Sequence, residues 1–271
     1  IYAFCGCSLR QTAVYAELGD VASLSDVAIL KRLRSARDWL GYLVASKLAE
    51  RTAAQLPKRA LRLRLIDAST VNRPGTHGTD LRLHVGLDLQ SVSMDHIEIT
   101  DSSAGESFRR FEYAPNDLVI ADRGYAHAAA IIELAESPAF FLVRINWQNL
   151  PLHEPDGSRL DVLSTLRTLP EAEAGEFPGV VRGPDKQIPC RLIGIRKTEA
   201  ASEAARAKCA HESKKKGHHV DPRTLESAGF AYVLTNVPAE TLSAREALEL
   251  YRFRWQIELV FKRLKSILNL D

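Results

Sequence analysis

Cysteine is scarce: Cys5, Cys7, Cys190 and Cys209 are all that the 271 residues contain. Thiols this few and this far apart make no disulfide framework, which excludes the small secreted scaffolds that depend on one and suits a reducing compartment. Long apolar runs are missing as well. None approaches the roughly 18 residues that a membrane span needs, and no charged-then-apolar leader opens the sequence. A cytoplasmic protein with no membrane partner is expected. Charge of one sign is not in excess either, the net being +2.

What is present is ordinary for a folded chain. With 45% hydrophobic and 26% charged residues, disorder is not the default and there is room for one large domain or two modest ones. The placement of charge says more than its sum. LKRLRSAR (Leu30 to Arg37), PKRALRLR (Pro57 to Arg64) and SKKKGHH (Ser213 to His219) gather basic residues in separate places. Such patches suit a polyanion, although charge runs are more often solvated faces. The chain begins on Ile1 without a methionine and stops just after its last helix, so a fragment of a longer protein is expected.

Periodicity divides the chain into four parts: 1–57, 58–146, 147–229 and 230–271. The first is helical. Ser8 can cap SLRQTAVYAELG, Gly19 ends it, and Ser25 can cap the long stretch SDVAILKRLRSARDWLGYLVASKLAERTA. Two helices joined by a short turn fit a helix-turn-helix and fit a plain bundle equally well. After Pro57 the period becomes two: LRLRLID (Leu61 to Asp67) and LRLHVGLDLQ read as a hairpin around a turn-rich STVNRPGTHGTD, and SMDHIEIT (Ser93 to Thr100) reads as a third strand. ESFRRFEY reads as a short helix, DLVIADRGY as a buried strand ending in an acid, AHAAAIIELAES as a helix and PAFFLVRIN as a strand. That pattern predicts a mixed α/β sheet with helices on its faces.

Between about Trp147 and Gly229, Pro, Gly and charge interrupt short strands, and a loose basic segment is expected from Glu203 to Arg223. The part has the character of a mostly β insertion. FAYVLTNVP resumes the strand pattern, and SAREALELY, capped by Ser243, starts a helix that runs on through YRFRWQIELVFKRLK (Tyr251 to Lys265).

Three carboxylates stand out by position. Asp67 and Asp122 each close a predicted strand, where an acid can project past the sheet edge, and Glu258 stands on the last helix. At about 100° per residue, Tyr251, Arg254, Glu258 and Lys265 share an arc of about 60°, while Ile257, Val260, Phe261, Leu264 and Leu268 form an adjacent apolar face. Trp255 falls beside the polar arc. Taken alone, Glu258 between cations is an ion-pair ladder on a helix surface, and each aspartate a turn former. Together, three acids with hard oxygen donors can bind two Mg²⁺ or Mn²⁺ ions about 4 Å apart for an in-line displacement at phosphorus. Arg254 and Lys265 would then neutralise phosphates, Tyr251 would donate to one, and Trp255 would offer a ring to an unpaired base. Cys209, His211, His218 and His219 match no zinc-finger spacing, and a lysine-rich loop is the better reading of that segment.

Tyr251, Arg254, Glu258 and Lys265 reproduce the Y-(2)-R-(3)-E-(6)-K signature of the insertion sequence 4 family of bacterial DDE transposases. LIDAST around Asp67, the PGTHGTDLRLH that follows, and ADRGY around Asp122 resemble the surroundings of that family's two catalytic aspartates. The resemblance runs from Ser8 to the end of the chain. It implies an RNase H-like catalytic core in 58–146 and 230–271, a mostly β insertion in 147–229 and an N-terminal helical DNA-binding domain in 1–57. It also implies a metal-dependent reaction in which water, and then a liberated 3′-OH, attacks DNA phosphodiesters at the terminal inverted repeats and joins them to target DNA. A homodimer on DNA and a cytoplasmic, nucleoid-associated location follow from the same resemblance. Two rivals are a metal-dependent nuclease on the same fold and a non-catalytic DNA-binding remnant.

Overall fold

In the computed structural model the described residues are 7–36, 39, 61–71, 80–215, 217 and 219–268. The chain separates into two compact units, 1–57 and 58–271. In the first, α1 (Leu9–Leu18) starts at a capping box in which the Ser8 hydroxyl accepts from the Gln11 amide and the Gln11 side chain accepts from Ser8 N–H, and it ends at Gly19. These reciprocal bonds satisfy amides that the first helical turn leaves without partners. α2 (Asp26–Ser35) starts at Ser25, whose hydroxyl accepts from the Ala28 amide. Apart from Ala36, its C-cap, and Trp39, the rest of the predicted long helix lies outside the described residues, as does most of the turn before the second strand.

The second unit is built on one sheet of ten strands among the described residues: β1 (Arg62–Val71), β2 (Leu81–Asp88), β3 (Ser93–Asp101), β4 (Asp117–Ala121), β5 (Phe140–Arg144), β6 (Leu152–His153), β7 (Arg159–Leu160), β8 (Ala174–Arg182), β9 (Gln187–Arg196) and β10 (Phe230–Thr235). Their spatial order is β3-β2-β1-β4-β5-β10-β9-β8-β6-β7. β1, β4 and β5 are parallel neighbours, and β2 and β3 add antiparallel on one side. This is a mixed α/β sheet with an RNase H-like core. β4 and β5 read as unbroken apolar runs because both their faces are covered. Between them α3 (Ala128–Glu136), capped by His127, buries Ala130, Ile131 and Leu134, which makes the parallel crossover. Phe108, Phe111 and Tyr125 join that layer.

Residues 147–229 do not form a separate sheet. β8 and β9 pair with each other, and β9 pairs with β10, so the core sheet simply continues. Helices α4 (Val162–Arg167), α5 (Glu199–Lys215) and α6 (Pro222–Ser227) accompany them. The loose segment expected from Glu203 to Arg223 is corrected in its first part: Glu203 to Lys215 belong to α5, whose alanines favour helix and whose i,i+4 pair Lys208–Glu212 supports it. Ser202 is its buried side chain, and without a stripe of large apolar residues the helix left no period in the sequence. ESFRRFEY likewise yields only a 3₁₀ turn, Phe108–Arg110.

An ionic clamp sets the register between β1 and β4. Arg62 and Asp117 are paired residues at the first position of that ladder, and Arg62 donates twice to Asp117, at 2.6 and 2.9 Å. Asp117 is fully buried and also accepts from Arg64 at 3.3 Å and from the Ala114 amide at 3.0 Å. Arg64, itself 3% exposed, donates to Asp95 of β3 at 2.6 and 2.9 Å. A buried charge missing any of these bonds would cost several kcal/mol, so slipped registers are penalised.

Candidate active site at the rim of the sheet

Asp67 lies within β1, opposite Val85 of β2, and β1 runs on to Val71. The expectation that Asp67 closes its strand is thereby corrected: pairing with β2 carries the ladder beyond it, through Ala68↔His84 to Val71↔Leu81. What ends here is the neighbour on the other side. β4 stops at Ala121, and its last partner pair with β1 is Leu65↔Ile120. Two residues beyond that pair on each strand stand Asp67 and Asp122, and Asp122 is still extended. Side chains alternate with period two, so both acids share the face of Leu65 and Ile120, on strands about 4.8 Å apart.

The third acid arrives on a bent helix. α7 (Ala244–Tyr251) is held by a Ser243–Glu246 capping box and buries Ala247 and Leu250. A 3₁₀ turn, Arg252–Arg254, follows, and only then α8 (Trp255–Leu268). The single continuous helix expected over Tyr251 to Lys265 is corrected. Three residues at about 120° instead of 100° turn the helix face by about 60° between Tyr251 and α8. On that count Tyr251, Arg254 and Glu258 fall within about 40° of one another. Ile257 and Phe261 are buried, at 0% and 6% exposure, and α8 packs on β1. Their burial stabilises the docking by roughly 1.5–3 kcal/mol each.

One network links the parts. Tyr251 Oη donates to Asp122 Oδ1 at 3.3 Å. Arg254 Nη1 is 3.6 Å from Asp67 Oδ2, while its Nη2 donates to Glu258 Oε1. Arg254 thus ties the acid of β1 to the acid of α8. Trp255 is half exposed beside it. Lys265 is partly exposed, seven residues beyond Glu258 on α8 and outside this network.

Electrostatics at the rim favour added positive charge. Burial pushes the Asp67 carboxyl up to about 6, although the Ala68 amide and Arg254 pull the other way, and Glu106 and Asp122 raise it further. Burial also raises Tyr251, with the Asp122 charge adding to it. For Arg254, burial opposes the charge, but the bond to Glu258 and the nearby Tyr251 and Asp122 hold its pKa above the ordinary value.

Residues 58–271 match the Transposase DDE domain family. The chain belongs to that family. InsL of insertion sequence element IS186A, from Escherichia coli (strain K12), is 38% identical over 272 residues, covering 98% of this chain and 74% of its own length. The transposase for insertion sequence element IS421 of Escherichia coli is 38% identical over 270 residues, covering 97% and 73%. A more distant relative, the transposase for insertion sequence element IS231F of Bacillus thuringiensis subsp. israelensis, is 24% identical over 262 residues, covering 84% of this chain and 55% of its own. The protein is a transposase, and its family acts on DNA by cleavage and strand transfer at insertion-sequence ends.

Sequence reasoning overlooked Glu106, a fourth acid of the DDE domain at this rim. It stands in the loop between β3 and the Phe108–Arg110 turn, and its charge bears on both Asp67 and Asp122. Neither period nor spacing marked it out. A cavity of about 1070 Å³ also borders Tyr251 and Arg123, and Arg144, Lys197, Lys208 and Arg252 stand on its wall. Cys209 lines the same cavity and stands on α5 with His211, while His218 lies outside the described residues. No described helix is long and apolar enough to cross a membrane.

Proposed function

We propose that the domain is of the insertion sequence 4 type and that Asp67, Asp122 and Glu258 are its catalytic acids. The observation that carries this is the network itself: Arg254 bonded to Glu258 and facing Asp67, and Tyr251 bonded to Asp122, unite side chains from β1, the end of β4 and the α7–α8 bend. Surface ion-pair ladders do not reach across a sheet to acids on two parallel strands.

The donor set suits hard divalent cations, since all the donors are carboxylate oxygens and the partly buried Asp67 has its charge incompletely compensated. Among the described residues no three acids, histidines or cysteines form a ready-made cage, and the Arg254 guanidinium is engaged with both Asp67 and Glu258. Bound there, two Mg²⁺ or Mn²⁺ ions would supply activation of the attacking oxygen and stabilisation of the leaving one. Asp67, Asp122 and Glu258 would hold them once Arg254 turned its guanidinium to a DNA phosphate, a bidentate partner of the same charge as the carboxylate it leaves. Tyr251 orients Asp122 through its hydroxyl and can pass the same hydrogen bond to a phosphate. Lys265 adds a further phosphate contact along α8, and the cations of the neighbouring cavity extend the basic path. Trp255 presents its ring for stacking on an unpaired base. Residues 1–57 form the DNA-binding part, 58–146 and 230–271 the catalytic core, and 147–229 the insertion. Cutting and joining at two ends calls for two protomers on DNA.

The test uses the terminal inverted repeats of the parent element as substrate, with Mg²⁺ or Mn²⁺. Expected are cleavage and 3′-OH strand transfer in the parent, and loss of both by more than about 100-fold in Glu258→Gln, since even partners of metal ligands cost 10–100-fold. Cleavage without strand transfer would identify a nuclease instead. A Glu258→Gln protein that cuts as well as the parent removes the assignment.

A further inference from the structure

We propose that Glu106 is a fourth ion-binding carboxylate of this site, acting with Asp67 and Asp122. The proposal rests on the reading of those two acids given above. Its first support is position. The Glu106 carboxylate occupies the space above Gly124 that a side chain would fill: a Cβ built there would lie 1.8 Å from Glu106 Oε2. Gly124 stands two residues after Asp122, in the turn Arg123–Tyr125. The absence of a Cβ here lets the Glu106 carboxylate lie against the turn, and a side chain at this position would make it swing away. The loop after β3 therefore delivers an acid to the turn that follows β4.

The second support is independent. Tyr125, at the end of that turn, is fully buried, and its hydroxyl has no hydrogen-bond partner among the described residues. The acids whose charges bear on it most are Glu106 and Asp67. A buried phenol left so costs about 1–3 kcal/mol. A hydrated cation shared by these acids would resolve both problems, because its water can donate to the phenol oxygen while the cation balances the carboxylates.

Charge balance agrees. Arg254 bonds to Glu258 and faces Asp67, while the side-chain bond to Asp122 comes from the neutral Tyr251 hydroxyl. Arg82 is the cation that acts on Glu106, opposing a rise in its pKa caused by burial and furthered by Asp122. Of the two charges, Arg82 is the stronger, and Glu106 stands between it and the turn that Asp122 caps.

The experiment measures Mn²⁺ binding to the whole chain without DNA, by calorimetry and by the electron paramagnetic resonance of free Mn²⁺, alongside a thermal melt in chelator. Four proteins are compared: the parent, Glu106→Gln, Gly124→Ala and Asp67→Asn. Gly124→Ala changes no acid but displaces the Glu106 carboxylate, so it tests the same contact without removing charge. Expected is a roughly tenfold weaker Mn²⁺ affinity in both Glu106→Gln and Gly124→Ala, the lower end of what supporting partners of a metal contribute, with Glu106→Gln melting no lower than the parent in chelator. Should Asp67→Asn weaken binding while Glu106→Gln binds as the parent does, the role of Glu106 is overturned and the site stands. If Asp67→Asn also binds as the parent, the site itself has been misread, and the proposal falls with it.

Discussion

Replacing Asp67 by asparagine should stabilise the DDE domain when no divalent ion is present. The carboxyl ordinarily titrates at 3.8 and does so at about 6 in this fold, chiefly through burial. At 1.36 kcal/mol per pH unit, keeping it ionised costs the folded state about 3 kcal/mol. The attraction of Arg254 is already included, since it is one of the influences on that value. The sign follows from proton binding. Between about pH 4 and 6 the folded protein holds a proton that the unfolded chain has released, so stability falls as pH rises through that window and the full cost stands above it. Asparagine matches the protonated acid in shape, and its oxygen can still accept from the Ala68 amide, now 2.8 Å from Asp67 Oδ1. At about 2–4 °C per kcal/mol for a domain of this size, Asp67→Asn should melt roughly 6–12 °C above the parent at pH 8 in chelator. The difference should vanish near pH 4, where both proteins carry a neutral side chain. Saturating Mn²⁺ should narrow or reverse it, because the parent gains more than the variant from the ion. Thermal unfolding followed by circular dichroism from pH 4 to 8, with and without Mn²⁺, makes the measurement. An Asp67→Asn protein melting at or below the parent at pH 8 in chelator would refute the reasoning, since the charge on Asp67 would then be fully compensated within the fold.

Two further outcomes test other parts of the structure. Lys265→Ala should weaken DNA binding uniformly across sequences and reduce the slope of log affinity against log salt by about 0.9, the share of one phosphate contact, with the melting temperature unchanged; filter binding over a salt series reads this. Asp117→Ala removes the buried acceptor shared by Arg62, Arg64 and the Ala114 amide, and should cost about 3–5 kcal/mol in urea unfolding. An effect below about 1 kcal/mol would mean that the clamp does not hold the register.

Much of this protein was legible along the chain. Strict alternation in LRLRLID and LRLHVGLDLQ marks β1 and β2, unbroken apolar character marks β4 and β5, and Ser8, Ser25 and Ser243 open helices where caps were read. The same spacing picked out Tyr251, which bonds to Asp122, Arg254, which faces Asp67, and Glu258, which Arg254 holds. These are local properties, since a period or a cap is decided within a few residues. What tertiary structure alone decided is who stands next to whom. Alternation places Asp67 on one face of β1 but cannot say that β4, ending sooner, will set Asp122 beside it; that depends on the pair Leu65↔Ile120 and on charges clamped at the other end of the ladder. The 3₁₀ turn at Arg252–Arg254 interrupts the helix where helical period carries no sign of it. Glu106 lies in a loop with no period at all, and its carboxylate takes the space left open at Gly124.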